Sequence, residues 1–326
     1  MKRCVVLIPA LNEEKMIGSV IDKVPTTLFD ENIKLEVVVI NDGSTDRTAK
    51  IAREHGASVI SHSSSQGVGA SFFDGVREAL CRKADYAVNI DADGQMDPSD
   101  IEKLLFPIYG GGADMVTASR FMDASIYPQM PVIKRWGNDR VARIVSSIVG
   151  NKYYDVSCGF RAYNKEALLR LNLHGRFTYT QETFINLAGS NNIRIMEVPV
   201  AIRGEREFGE SRVAHSVLKY AIKSGSIILS AFKDYKPIRF FGGLALIFLI
   251  TGIFFETIMF ANYFNTGHFR NYLWAGLTGA FMAIVSMIFL ILMIVSDTLG
   301  KMKRTEEEIL YFSKKKEYYG NGEQEV

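Results

Sequence analysis

Asp91 and Asp93, one residue apart and followed by Gly94 and Gln95, are the side chains in this sequence best suited to chemistry. They come directly after the apolar run 86–90, which reads as a buried strand whose period of two would point both carboxylates the same way. Paired oxygen donors at a strand end suit a hard divalent cation that also holds phosphates. An Asp-x-Asp alone is more often a turn or surface pair. The buried strand before it and the amide of Gln95 after it favour a site.

The surrounding pattern is built to hold such a site. Residues 4–8 form an apolar strand closed by Pro9, and Asn12-Glu13-Glu14 then opens a helix with acidic residues in its first turn. Residues 35–40 are a second strand, ending in Asn41-Asp42-Gly43-Ser44-Thr45-Asp46 before a helix over 47–55. Val59-Ile60 is a third strand, Gln66-Gly67-Val68-Gly69-Ala70 leads into a helix over 71–82, Pro98 starts another through Leu105, and 115–118 is a further strand. Strands alternating with helices predict a doubly wound α/β sheet with ligands at the strand carboxyl ends. Ser44, Thr45 and Asp46 read first as helix-capping residues, while Asp42 is equally a turn residue and a candidate ligand contact. No Walker loop and no Gly-x-Gly-x-x-Gly follows the first strand, which disfavours a P-loop or an ordinary dinucleotide fold.

Composition narrows the class. The chain has 326 residues, 48% of them apolar, and a net charge of +2 that gives no basis for nucleic-acid binding. Cys4, Cys81 and Cys158 lie far apart, with neither metal spacing nor a disulfide pattern, which fits a reducing compartment. The apolar content is concentrated in 240–296. Residues 240–264 and 273–295 are each long enough to span a bilayer, and the short linker between them makes a hairpin. Lys233, Lys236 and Arg239 precede the first span, Lys301, Lys303 and Arg304 follow the second, and the linker holds only Arg270. That asymmetry, with no apolar signal-peptide core at the start, predicts an integral membrane protein with both termini and the first domain in the cytoplasm.

Three stretches then resemble the nucleotide-sugar-binding signature of family 2 glycosyltransferases of the GT-A fold: Ile8-Pro9-Ala10-Leu11-Asn12-Glu13-Glu14, Asn41-Asp42-Gly43-Ser44-Thr45-Asp46 and Asp91-Ala92-Asp93-Gly94-Gln95. The resemblance implies that Pro9, Leu11, Glu13 and Asp42, with Asp91, line the pocket for a UDP- or GDP-sugar. It also implies that Asp91, Asp93 and Gln95 hold Mg²⁺ or Mn²⁺ against the diphosphate. Ser119-Arg120-Phe121, Lys134-Arg135-Trp136-Gly137-Asn138, Asp155-Val156-Ser157-Cys158-Gly159-Phe160-Arg161 and Arg206-Glu207-Phe208-Gly209-Glu210-Ser211-Arg212 look like motifs of the polyprenyl-phosphate glycosyltransferases, such as dolichol-phosphate mannose and glucose synthases and their bacterial counterparts. By that likeness Arg120, Lys134, Asn138, Arg203, Arg206, Ser211 and Arg212 would bind the phosphate of a dolichyl or undecaprenyl acceptor. Val68, Lys134 and Arg212 depart from the usual Lys, Arg and Lys of those motifs.

The expected organisation is a GT-A (Rossmann-like) catalytic domain over 1–215, a juxtamembrane amphipathic helix over 216–237, two transmembrane helices within 238–297, and a charged, solvated tail over 298–326. Glu256 stands inside the first span, where a carboxylate is costly, and a pairing role suits it better than catalysis. Gly242, Gly243, Gly276, Gly279 and Ala280 would permit close helix packing, including that of a homo-oligomer. The expected reaction is metal-dependent, inverting sugar transfer to a polyprenyl phosphate. The alternatives are a membrane glycosyltransferase with a hydroxyl acceptor, which would need a base, and a catalytically silent scaffold, against which both Asp91 and Asp93 speak. Asp155 either orients a substrate or closes its own turn; Glu182 either orients the sugar or sits at a helix start for electrostatic reasons.

Overall fold

Near-continuous apolar runs are what strands covered on both faces require, and Val5-Val6-Leu7-Ile8 and Val38-Val39-Ile40 are completely buried. In the computed structural model, which describes residues 1–172, 179–189, 193–204 and 236–320 with Gly225, Leu229 and Lys233, these runs form the centre of a mixed sheet. β1 (Lys2–Ala10) pairs in parallel with β3 (Ile33–Asn41) on one side and β5 (Tyr86–Asn89) on the other. The outer edge of β3 carries β2 (Thr27–Leu28), antiparallel, and β4 (Ser58–Ser61), parallel. Past β5 lie β7 (Arg161–Asn164), antiparallel, then β6 (Met115–Ser119) and β8 (Ile195–Pro199), in the order β2-β3-β1-β5-β7-β6-β8.

Alternation along β1 divides the helices between two faces. Cys4, Val6 and Ile8 share a core with residues of α1 (Ile17–Asp22) and α4 (Ile101–Tyr109). Leu7 points the other way, to α3 (Val68–Cys81), where Gly75 lets the helix approach: a Cβ there would lie 3.2 Å from Leu7 and 3.1 Å from Ile40. This is the doubly wound GT-A-like sheet expected, and because β1, β3, β4, β5, β6 and β8 run the same way, their carboxyl ends share one rim. α2 (Thr48–Glu54), α5 (Val132–Val149), α6 (Lys165–Arg170) and α7 (Thr180–Gly189) are the other described α-helices within residues 1–204.

The first helix start differs most from expectation. α1 begins at Ile17, not Asn12, because Asn12 adopts φ +47° and its neighbours bond sideways. Asn12 N donates to Ser44 Oγ at 2.9 Å, Glu13 N to Thr48 Oγ1 at 2.8 Å and Glu14 N to Asp46 Oδ2 at 3.2 Å. The first two strand-end loops are thereby stitched together.

The chain divides into two compact units, Met1–Ile228 with Glu307–Val326, and Leu229–Glu306. In the second, helices Pro237–Thr266 and Leu273–Tyr319 are long and apolar enough to cross a membrane by length and composition. They pack through small residues: a Cβ on Gly252 would lie 3.1 Å from Gly279 O, and one on Gly279 would lie 2.8 Å from Glu256 Cγ. Ser286 Oγ donates to Ala245 O at 2.8 Å. Glu256 thus lays its stem on the neighbouring helix. A Cβ on Gly243 would meet nothing within 4 Å and Ala280 is exposed, so these two take no part in that packing.

The helix does not stop at 295 but runs on to Tyr319, and its end belongs to the first unit rather than to a solvated tail. Tyr311, 6% exposed, donates to Glu166 Oε2 at 2.9 Å, and Arg170 Nη1 donates to Glu308 Oε1 at 2.8 Å. Lys314 Nζ donates to Leu171 O at 2.8 Å and Asn172 Oδ1 at 2.7 Å, placing a cation at the carboxyl end of α6. Burial lowers the Lys314 pKa.

Candidate active site

The strand ends bring the predicted carboxylates to the rim, but each is used differently. Asp42, just past β3, is 5% exposed and its carboxylate is filled by one loop. Ser65 Oγ donates to Oδ2 at 2.7 Å, Gln66 N to Oδ1 at 2.8 Å and Gly67 N to Oδ2 at 3.0 Å, and His62 Nδ1 lies 2.7 Å from Oδ1. Burial alone would raise the Asp42 pKa, but these donors outweigh it and hold the carboxyl below its ordinary value. His62 Nε2 is 3.0 Å from Asp74 Oδ2, so the ring bridges two carboxylates. Asp42 therefore fastens the 62–67 loop, a role its turn sequence alone does not reveal. Pro9, Leu11 and Glu13 lie beside it on the same rim, at the end of β1 and in the stitched loop, all part-exposed. Asp46 also caps, accepting from Thr48 N at 2.9 Å.

Asp91 and Asp93 both lie beyond the last residue of β5, so strand alternation does not orient them. Asp93 is 4% exposed and its Oδ1 accepts from Gln95 N at 3.1 Å across Gly94, whose φ of +72° an L side chain rarely adopts. Asp91 instead faces Gly159: a Cβ on Gly159 would lie 3.3 Å from both Asp91 carboxylate oxygens and 3.0 Å from Tyr179 Oη. The glycine keeps room in front of the carboxylate. Asp91, Gln95, Arg120, Ser157, Gly159 and Arg203 line one cavity of about 110 Å³. Gln95 Nε2 donates to Arg203 O at 2.9 Å, which turns its amide oxygen away from that carbonyl.

Two aspartates and an amide oxygen are hard donors, and among the described residues no group of three His, Cys, Asp or Glu side chains could cage an ion. The set fits a divalent cation that completes its shell with phosphate oxygens and water. Cys158 also lines the cavity, but burial pushes its thiol up to about 12, so it is no thiolate nucleophile.

The cationic wall is anchored by Asp155, 1% exposed. Arg120, one residue past β6, donates through Nε to Asp155 Oδ2 at 2.6 Å and through Nη2 to Oδ1 at 2.9 Å, and through Nη2 to Ser157 Oγ at 2.8 Å. Burial would raise the Asp155 pKa; the Arg120 charge and the Arg120 and Ser157 hydrogen bonds hold it below the carboxylate norm. Ser157 Oγ donates in turn to Asn138 Oδ1 at 3.2 Å, joining α5 to the network. Glu197 on β8 accepts from Tyr154 N at 2.8 Å and Asp155 N at 2.7 Å; burial, helped by nearby Asp155, lifts its pKa.

Sequence reasoning missed Tyr179 and Arg161. Tyr179 stacks on Phe72 with centroids 4.1 Å apart and accepts from Asn89 Nδ2 at 2.8 Å. Arg161, completely buried, donates to the carbonyls of Val156 at 3.0 Å and of Cys158 and Thr180 at 2.8 Å, pinning the loops behind the cavity. The apolar neighbours of Arg161, Phe160 before it and Ala162 after it, were the available signal. Lys134 is exposed on α5, and Glu182 is half-buried in the first turn of α7; neither lines the cavity. Arg206, Ser211, Arg212 and the expected amphipathic helix lie outside the described residues, the isolated Gly225, Leu229 and Lys233 excepted.

Known proteins resemble this chain in sequence and in fold. The chain is 32% identical over 213 residues to a UDP-N-acetylglucosamine–dolichyl-phosphate N-acetylglucosaminyltransferase of Methanococcus voltae, covering 60% of this chain and 83% of that protein. It is 27% identical over 231 residues to a polyprenol monophosphomannose synthase of Mycolicibacterium smegmatis, covering 68% and 84%. The fold matches glucosyl-3-phosphoglycerate synthase from Mycobacterium tuberculosis, solved in complex with Mn²⁺, UDP and phosphoglyceric acid, with a TM-score of 0.53 at 21% identity over 71% of this chain and 78% of that one. The model of the glycosyl transferase family 2 matches residues 5–171, and with this sheet and this rim the chain belongs to that family of glycosyltransferases.

Proposed function

We propose that this protein transfers a monosaccharide from a nucleotide sugar to a polyprenyl phosphate at a membrane, in a metal-dependent, inverting reaction. The supporting observation is the cavity at the rim, where the carboxylate of Asp91 and the amide of Gln95 share one space with Arg120 and Arg203. On this reading Asp91, Asp93 and Gln95 hold Mg²⁺ or Mn²⁺, which when bound offsets the charge of the departing nucleoside diphosphate. The loop fastened by Asp42, with Pro9, Leu11 and Glu13, receives the nucleoside. Arg120 and Arg203, with Arg206, Ser211 and Arg212, gather the acceptor phosphate.

A phosphate monoester has a second pKa of about 6 and is largely dianionic at neutral pH. Its oxygen attacks the anomeric carbon as the bond to the diphosphate breaks, with no proton to remove. That suits a site whose carboxylates have other tasks. Asp155 holds the guanidinium of Arg120 and Asp91 serves the cation, so neither is available as a base. Asp155 is then a positioning residue rather than a catalytic one, and Glu182 a helix-start carboxylate. The two long helices carry the protein in the bilayer, with the sheet domain and both ends on the cytoplasmic side.

The test is transfer itself: full-length protein in detergent with Mn²⁺, a panel of radiolabelled UDP- and GDP-sugars, and undecaprenyl phosphate. The expected result is a labelled lipid with one donor, abolished by chelation. Absence of labelled lipid across the panel, or transfer to a lipid hydroxyl instead, overturns the proposal.

A further inference from the structure

α5 presents two adjacent stripes to two different places. Asn138 reaches the Arg120–Asp155–Ser157 network. The neighbouring stripe, Val132, Arg135, Trp136, Asp139, Ala142 and Ser146, follows helical spacing and lines a second, larger cavity of about 800 Å³. The opposite walls are Phe121, Tyr127 and Tyr153. The two cavities are built from alternate residues of the same stretches. Arg120 lines the small one and Phe121 the large; Pro128 lines the small one and Tyr127 the large. Consecutive Cα atoms are only about 3.8 Å apart, so the chambers are neighbours.

The large chamber is apolar in character and open. Val132 is 83% exposed, Trp136 55% and Met122 46%, an unusual concentration for a water-facing surface. Its charged groups are turned to one another or to rings. Arg143 Nε lies 3.0 Å from Asp139 Oδ2, the Arg135 guanidinium lies 4.1 Å from the Tyr127 ring, and Lys152 Nζ lies 4.7 Å from the Tyr154 ring. Hydroxyl-rich ligands such as sugars would need uncommitted carboxylates or amides here, and the described lining offers none besides that paired Asp139.

We infer that this chamber is the seat of the first isoprene units of the acceptor lipid, with the lipid phosphate in the adjoining Arg120 cavity. The inference rests on the acceptor being a polyprenyl phosphate. The phosphate-ended chain fits what the chambers offer: a small site with two arginines, then directly beside it a wide aromatic one. Trp136 is then a residue that selects for chain length, and it touches no reacting atom.

Two measurements on the full chain test this. Trp136 and Trp274 are its two tryptophans, so Trp274→Phe leaves Trp136 as the reporter. Farnesyl phosphate should shift Trp136 emission to shorter wavelength, and dimethylallyl phosphate, which has one isoprene unit, should do so far less. In transfer assays, Trp136→Ala should lower the kcat/KM preference for farnesyl over dimethylallyl phosphate about tenfold, and Trp136→Phe should restore most of it. Transfer that proceeds with an unchanged preference and no emission shift would overturn the seat while leaving the acceptor class standing. An equal emission shift with phosphatidylcholine vesicles lacking any polyprenyl phosphate would assign the chamber to bulk lipid and overturn it as well. Wild-type transfer to a hydroxyl acceptor but to neither phosphate would remove the acceptor class and this inference together.

Discussion

The ends of β3 and β5 deliver the same side chain to the same rim and use it in opposite ways. Asp42 is surrounded by donors from one loop and works inward, as a clasp. Asp91 is set opposite a glycine, where a single added carbon would crowd both its oxygens, and it lines a cavity. Asp155 is a second clasp, across the cavity, with Arg120 in its grip. A carboxylate at a strand end is thus not a ligand by virtue of its position. What decides is whether the neighbouring loop brings donors to it or keeps its distance.

Substitutions should separate clasps from ligands. The largest effect is expected for Asp91→Asn: if the carboxylate holds the proposed metal, its loss costs several kcal/mol of transition-state stabilisation, about a thousandfold in kcat, with an unfolding midpoint close to wild type. A comparable loss of thermal stability would make Asp91 a clasp too. Asp155→Asn should do the reverse first. It removes the buried negative charge that Arg120, whose side chain is 18% exposed, is paired with, and should destabilise the protein by about 3 kcal/mol in denaturant titrations. Unchanged stability would show that the pair is dispensable to the fold.

Gly159→Ala addresses the contrast directly. The new methyl would stand 3.3 Å from the Asp91 oxygens, and Mn²⁺ affinity measured by calorimetry should fall about tenfold; full affinity would mean that the open space is incidental. Acid separates the groups by sign. The pKa values of Asp42 and Asp155 are both depressed in the folded state, so their stabilisation is complete above the ordinary carboxylate pKa of about 4 and disappears as pH falls through their lower folded values. The unfolding midpoint should therefore stay level in mild acid and drop below that range, and Asp155→Asn should flatten part of the drop. The smallest effect, about 1 kcal/mol, is expected for Tyr311→Phe, which removes the hydroxyl bonded to Glu166 and leaves Asp91 untouched.

Much of the sheet was legible because β1, β3 and β5 are apolar runs ended by turn residues, a signal confined to a few neighbouring positions. The carboxylates were legible for the same reason: Asp42, Asp91 and Asp93 sit in those turns. What each carboxylate does was not. Asp155 meets Arg120 across 35 residues and Asp42 meets His62 across 20, and no periodicity encodes which side chain folds back on which. β7 and β8 escaped because short strands of mixed character, such as Arg161–Asn164, resemble loops until a buried partner is known. The charge-rich stretch after Lys301 looked solvated because charge usually means water. Glu308, Tyr311 and Lys314 instead find fixed partners on and just after α6.

That last docking bears on the timing of synthesis. Tyr311 bonds a residue 145 positions earlier and Tyr319 one 235 positions earlier, with the first long helix and the apolar part of the second in between. Chain emerges from the ribosome at roughly 5–20 residues per second, so for many seconds the carboxyl end of α6 waits without its lysine. The contacts that close the end of α6 can form only after the apolar stretch has been made. A nascent chain halted before Glu307 would lack every partner that Glu166, Arg170, Leu171 and Asn172 find in the last turns of the second long helix.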